Sequence, residues 1–187
     1  TQLQAMRKDY EEGTAQNEKV KAAATFYADL RDQVSYDKWF KSGNGLGSEV
    51  SPAGSFALAA DGEKAFTGIY PAGIYSHLIS DKHNGFLSSV FHLAKGERNS
   101  IRAMGSGSFA RFPIRSYPLT YGGLHPSPGL KPQRNWVNLN KYKYWNGEKG
   151  YYQISTGADS TSQKSDGPEH SWFGVFEVYA GNDSMLE

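Results

Sequence analysis

Residues Gly105-Ser106-Gly107-Ser108-Phe109-Ala110 carry the G-x-G-x-x-A spacing of a dinucleotide-binding turn and follow an apolar run. That chemistry needs a helix immediately afterwards, so that a pyrophosphate meets free backbone N–H groups at the helix start. The continuation is RFPIRSYP, where Pro113 and Pro118 forbid a helix. These glycines therefore predict a hairpin turn and no nucleotide site. The histidines, His77, His83, His92, His125 and His170, form no H-E-x-x-H and no i, i+4 pair. Ser80, Asp81 and His83 lie close together like a triad fragment, but no nucleophile elbow accompanies them. Turn hydrogen bonding accounts for that cluster. Asp159, Asp166 and Glu169 share one polar loop, with Glu177 just beyond. Oxygen-rich loops hold calcium in many β-sandwiches, yet this spacing matches no calcium motif and predicts a solvated loop. No catalytic residue and no metal ligand is predicted.

Aromatic side chains remain. Tyr121, Trp136, Tyr142, Tyr144, Trp145, Tyr151 and Tyr152 crowd one third of the chain, near Arg111, Arg115 and Arg134. Flat rings stack on sugar C–H surfaces while polar groups bind hydroxyls. Trp39, Trp136 and Trp172 fall inside strand patterns and are expected in the core. Tyr121, Tyr144 and Trp145 fall in turns, so with Arg111 and Arg115 they are the predicted ligand-binding residues.

Composition narrows the partners. A net charge of +1 over 187 residues gives no bulk attraction for nucleic acid. Mean hydropathy is −0.62, and no apolar run approaches the ~20 residues of a membrane span. With no Cys, this chain excludes disulfides, thiolate metal sites, a Cys nucleophile and C-x-x-C-H haem attachment. High aromatic content, 14%, with 21 Gly and no Cys is common among bacterial extracytoplasmic β-sandwiches and also occurs in cytoplasmic proteins. The chain begins at Thr1, which suggests a processed product or an internal portion of a longer precursor.

The elements that must position these side chains are of two kinds. Residues 1–35 form a helical lead-in: Leu3, Met6 and Tyr10 share one face, then Val20, Ala23, Ala24, Tyr27 and Leu30 recur at helical spacing. Gly13-Thr14 is expected to break or kink the two runs, with Thr14 as a cap candidate. Residues 36–187 form the β domain. Tyr36–Gly47 reads as a first strand bearing Trp39 and Phe40, and Ser55–Ala60 as an edge strand. Ile74–Ile79, Phe86–Leu93, Ile101–Met104 and Phe109–Tyr117 follow at close spacing, divided by turn residues. In 136–139, Trp136 and Asn138 face one way, Val137 and Leu139 the other. Strands over 150–156 and 172–179 complete roughly nine, with no intervening helix. The fold class is mainly β, a jelly-roll-like two-sheet β-sandwich with an N-terminal helical segment.

The order of motifs YDKWFKSGNGLG, AGIYSHLISDKHNGFLSSVFHL, IRAMGSGSFARF, YGGL, NWVNL, WNGEKGYYQIST and WFGVFEV carries a family resemblance. It resembles the β-sandwich segment of the large planctomycete-type cytochrome c proteins with domains of unknown function. The C-terminal sandwich of levanase- and invertase-like glycosidases shows a related order. The resemblance covers about Tyr36 to Tyr179. It implies a non-catalytic module, akin to carbohydrate-binding modules, within a larger protein at the periplasm or cell surface. Polysaccharide is the partner it implies, with other domains or subunits of the parent assembly. The alternative is a structural or interaction module that packs against those neighbours. No cofactor is implied in this chain; haem c belongs elsewhere in such parents, and calcium has no motif here. Two departures matter: the polar ending of the related sandwiches is replaced by WFGVFEV, with Phe176-Glu177 at the acidic position, and the haem-binding Cys and His are absent.

Overall fold

The most apolar strand, β13 (Trp172–Gly181), forms the centre of the larger sheet. In this computed structural model, residues 2–58, 66–79, 83–93, 98–115, 126–139, 145–157 and 171–181 are described. On one side, β13 pairs antiparallel with β8 (Arg98–Ser106), which in turn pairs with β10 (Asn135–Asn138). On the other side it meets β1 (Phe26–Asp29) and β5 (Ile74–Tyr75). A second antiparallel sheet has the order β2 (Phe40–Ser42), β6 (Phe86–Ser88), β12 (Gln153–Ser155), β9 (Phe109–Arg111). Two short ribbons accompany them: β3 (Ser55–Leu58) with β4 (Phe66–Tyr70), and β7 (His92–Leu93) with β11 (Lys149–Gly150).

The core lies between the sheets. Ile101, Ala103, Val175 and Val178 from the first meet Leu87, Ala110 and Ile154 from the second, all fully buried. Tyr36, Trp39, Phe112, Trp145 and Tyr152 fill the remaining space. Each large apolar side chain so buried stabilises the fold by about 1.5–3 kcal/mol. The chain is a mainly β, two-sheet sandwich with an N-terminal helix, as its strand patterning requires.

Several local expectations are corrected. Helix α1 (Gln2–Ala23) runs unbroken through Gly13. One interior Gly costs only about 1 kcal/mol, and the i, i+4 pairs Arg7–Glu11 (3.0 Å) and Lys8–Glu12 (3.6 Å) support the turns just before it. Thr14 is no cap; its hydroxyl donates to the Tyr10 carbonyl. The helical lead-in ends at Ala23 despite the periodicity that continues to Leu30. From Phe26 the chain pairs with β13, whose exposed edge needs backbone partners. A second helix, α2 (Gln33–Asp37), replaces the start of the expected first strand, with Asp32 capping the Ser35 N–H at 3.0 Å. The 105–110 glycine run is not a hairpin, because β8 and β9 belong to different sheets and the turn crosses the sandwich. Ala59 and Ala60, the end of the expected edge strand, lie outside the described residues.

Candidate functional site

A β-bulge in β13 creates the site. Up to Val175 the odd-numbered residues of β13 face the core, as Phe173 and Val175 do. The register then shifts between Val175 and Glu177, and Val178 becomes the core residue. The bulge turns Phe176 and Glu177 together onto the outer face. Without it, alternation would drive the Glu177 carboxylate into the apolar interior, where an unpaired charge is not tolerated.

On the outer face, direct cross-strand pairing sets Trp136, Arg102, Glu177 and Asp29 in one row over four strands. Glu177 is 2% exposed and is clamped by three donors. The Tyr27 hydroxyl donates to Oε1 at 2.6 Å, Arg31 Nη2 to the same oxygen at 3.0 Å, and Arg102 Nη1 to Oε2 at 2.9 Å. Arg31 also forks onto Asp29, with Nε at 2.8 Å and Nη2 at 2.7 Å. Such bidentate, charge-assisted bonds fix the guanidinium plane. Burial alone would raise the Asp29 carboxyl, but the side-chain and backbone hydrogen bonds from Arg31 outweigh it and hold Asp29 below the usual carboxylate range. Burial, aided by the hydrogen bond to Glu177, pushes the Tyr27 phenol well above its ordinary value and keeps it a donor.

Aromatic rings border this polar row. Trp136 is half-buried, its ring edge-on to Tyr179 at 6.3 Å, with the Arg102 guanidinium 5.9 Å from its centre. On the other side, Tyr75 lies across Gly174 and packs edge-on against Phe176 at 5.9 Å. Arg134, just before β10, sits over the Phe176 ring at 5.5 Å. The arrangement presents planar hydrocarbon faces beside oriented donors and acceptors, which suits a flat polyhydroxylated ligand. A separate cleft lined by Phe26, Ala28, Ser35, Trp39 and Ser89 encloses about 160 Å³.

Of the ligand-binding residues singled out from the sequence, Arg111, Arg115 and Trp145 fall among the described residues. Arg111 lies in the outer row Phe40–Ser88–Gln153–Arg111 of the second sheet, 3% exposed, where burial lowers the pKa of its guanidinium. Arg115 is exposed beyond the end of β9, its backbone N–H donating to the Lys149 carbonyl at 2.7 Å. Trp145 is not exposed: its turn closes with Glu148 N–H on the Trp145 carbonyl and tucks the ring into the core. Tyr121 and Tyr144 lie outside the described residues, as do Asp159, Asp166 and Glu169. Among the described residues no group of three metal-ligating side chains is found. Trp39 is core, whereas Trp136 occupies the outer face because Val137 takes the inward position. Arg102, Arg31 and Asp29 were missed, and Glu177 was noted only beside the polar loop and at the acidic position of the last strand. Arg102 within IRAM and Glu177 within VFEVY carried a signal, a charge in the middle of an apolar strand; Asp29 and Arg31 carried none.

No family model matches the chain, and no curated protein matches it. Among solved structures it is similar to a family two carbohydrate esterase from Cellvibrio japonicus, at 14% identity and a TM-score of 0.36. That match covers 76% of this chain and 33% of the esterase, so the chain spans about a third of that protein. It is also similar to TmCBM61, a carbohydrate-binding module solved in complex with β-1,4-galactotriose, at 16% identity and a TM-score of 0.40. Here 77% of this chain and 88% of the other are covered. Likeness of this degree says nothing about individual residues or their chemistry.

Proposed function

We propose that this chain is a non-catalytic, saccharide-binding β-sandwich module of a larger extracytoplasmic protein. The observation that carries this is the outer face of the five-stranded sheet. Trp136 and Tyr27 flank a row of donors and acceptors, Arg102, Arg31, Glu177 and Asp29, already locked in place by one another. Preorganised polar groups lose little entropy on meeting hydroxyls, and the ring of Trp136 offers the stacking surface. The test is calorimetric titration of the chain against a panel of oligosaccharides and polysaccharides. Binding by at least one glycan, weakened about tenfold in Trp136→Ala by loss of stacking, is the expected result. Absence of binding to any glycan at millimolar concentration would sink the proposal.

The second reading, an interaction module held against neighbouring domains or subunits, rests on a different surface. On the β3–β4 ribbon, Phe56 and Ile69 are paired directly and lie 61% and 72% exposed, with Leu58 at 60% on the same side. Exposed apolar groups in one patch mark contact surfaces. Cross-linking or co-purification of the parent protein distinguishes the two, since this second function requires the ribbon to be covered. The cytochrome-linked parent and the extracytoplasmic address remain part of the proposal. They are tested by the reading frame on either side: haem-attachment motifs and an upstream export signal are expected.

A further inference from the structure

Cations outnumber anions around Glu177. Arg31, Arg102 and Arg134 face Asp29 and Glu177, three positive charges against two negative, leaving +1. The surplus is localised. Arg31 pairs with Asp29 and Glu177, and Arg102 pairs with Glu177. Arg134 is exposed and, among the described residues, forms no ion pair and no hydrogen bond; its contact is the Phe176 ring beneath it. That ring is fully buried, held by Tyr75 and by the close approach of Gly73, so the platform is rigid. Partial desolvation over the ring, then repulsion from Arg102, pushes the Arg134 guanidinium below its usual range, an imbalance that an incoming anion relieves.

Resting on the saccharide-binding proposal, the geometry points to a ligand that carries a monoanionic oxyanion, a uronate carboxylate or a sulfate ester, bound by Arg134 beside the Trp136–Arg102 surface. The guanidinium fork matches two oxygens of either group, and over the Phe176 ring, 5.5 Å from its centre, its N–H groups are not engaged by the described residues. Glu177 and Asp29 do not repel such a ligand strongly, because Arg31 and Arg102 already neutralise them. Neutral sugars would use the polar row but leave Arg134 without a partner.

The test uses the whole chain and four polymers: polygalacturonate, its fully methyl-esterified form, a sulfated galactan and neutral β-1,4-galactan. Either acidic polymer is expected to bind about tenfold or more tightly than the uncharged ones, a preference that shrinks as salt rises from about 50 mM to about 0.5 M. The two acidic arms say whether carboxylate or sulfate supplies the charge. Arg134→Gln, whose fold is verified by thermal melting, is expected to lose that preference, and Arg134→Lys to keep part of it. Equal affinity for esterified and free polygalacturonate, with no preference for sulfate, overturns the inference while leaving the saccharide-binding proposal standing. Acid preference that survives in Arg134→Gln also overturns it. Failure of all four polymers and of the wider panel removes both.

Discussion

Glu177 shows how a single buried charge organises a face. Its two oxygens accept from Tyr27, Arg31 and Arg102, so neutralising it leaves two guanidinium groups short of an acceptor. Breaking a buried pair costs about 3–5 kcal/mol, and the partners here are 29% and 23% exposed, which lets water compensate in part. Glu177→Gln is therefore expected to lose about 2–3 kcal/mol in urea unfolding. His92 gives a second prediction. Its ring stacks on Phe26 at 4.3 Å and on Tyr152 at 5.1 Å, and burial lowers its pKa from 6.5. The fold favours the neutral imidazole, so the folded chain takes up its proton at lower pH than the unfolded chain. Stability from this group is complete above about pH 6.5 and is lost as pH falls through the folded value. The urea midpoint is expected to drop between about pH 7.5 and about pH 5.5, and to drop less in His92→Phe, which cannot titrate.

At the scale of elements, β5 is seated on β13 by a missing side chain. A Cβ on Gly174 would lie 2.5 Å from Tyr75 Cε1 and 3.3 Å from Met104 Cγ. Tyr75 has little room to retreat, since its hydroxyl donates to the Pro71 carbonyl at 2.7 Å and its ring abuts Phe176. Gly174→Ala is expected to destabilise by about 1–3 kcal/mol, the usual cost of overpacking, with thermal melting as the measurement. β13 itself was legible as a strand but its facing was not. WFGVFEVY reads as simple alternation, which would put Phe173, Val175, Glu177 and Tyr179 on one side. The bulge reverses that after Val175, because only one of the two faces can carry a charge.

For the whole molecule, the sandwich and α1 are nearly independent. Val20 is the buried residue of α1, whereas Leu3, Met6 and Tyr10 share a face that is 77%, 63% and 75% exposed. Most of a helix's stability in a protein comes from packing an amphipathic face, and α1 offers little of that. Deleting residues 1–16 is expected to change the unfolding free energy by less than about 0.5 kcal/mol, as surface changes do, while helical circular dichroism falls. A larger loss would show that α1 supports the sheets.

Strand content, the inward and outward alternation of β10, the core position of Trp39 and the two-sheet architecture were all readable from residue types and period, because burial on one face imposes that period directly. That no helix follows the glycines of 105–107 was equally local, since Pro113 forbids one, and β9 follows instead. The candidate site was not readable. Its row, Trp136–Arg102–Glu177–Asp29, draws on four strands spread over more than half the chain and depends on a one-residue bulge that no local pattern announces. Likewise, the helical spacing of Tyr27 and Leu30 was real, but the free edge of β13 outweighed it, because unpaired backbone groups cost more than helix propensity returns.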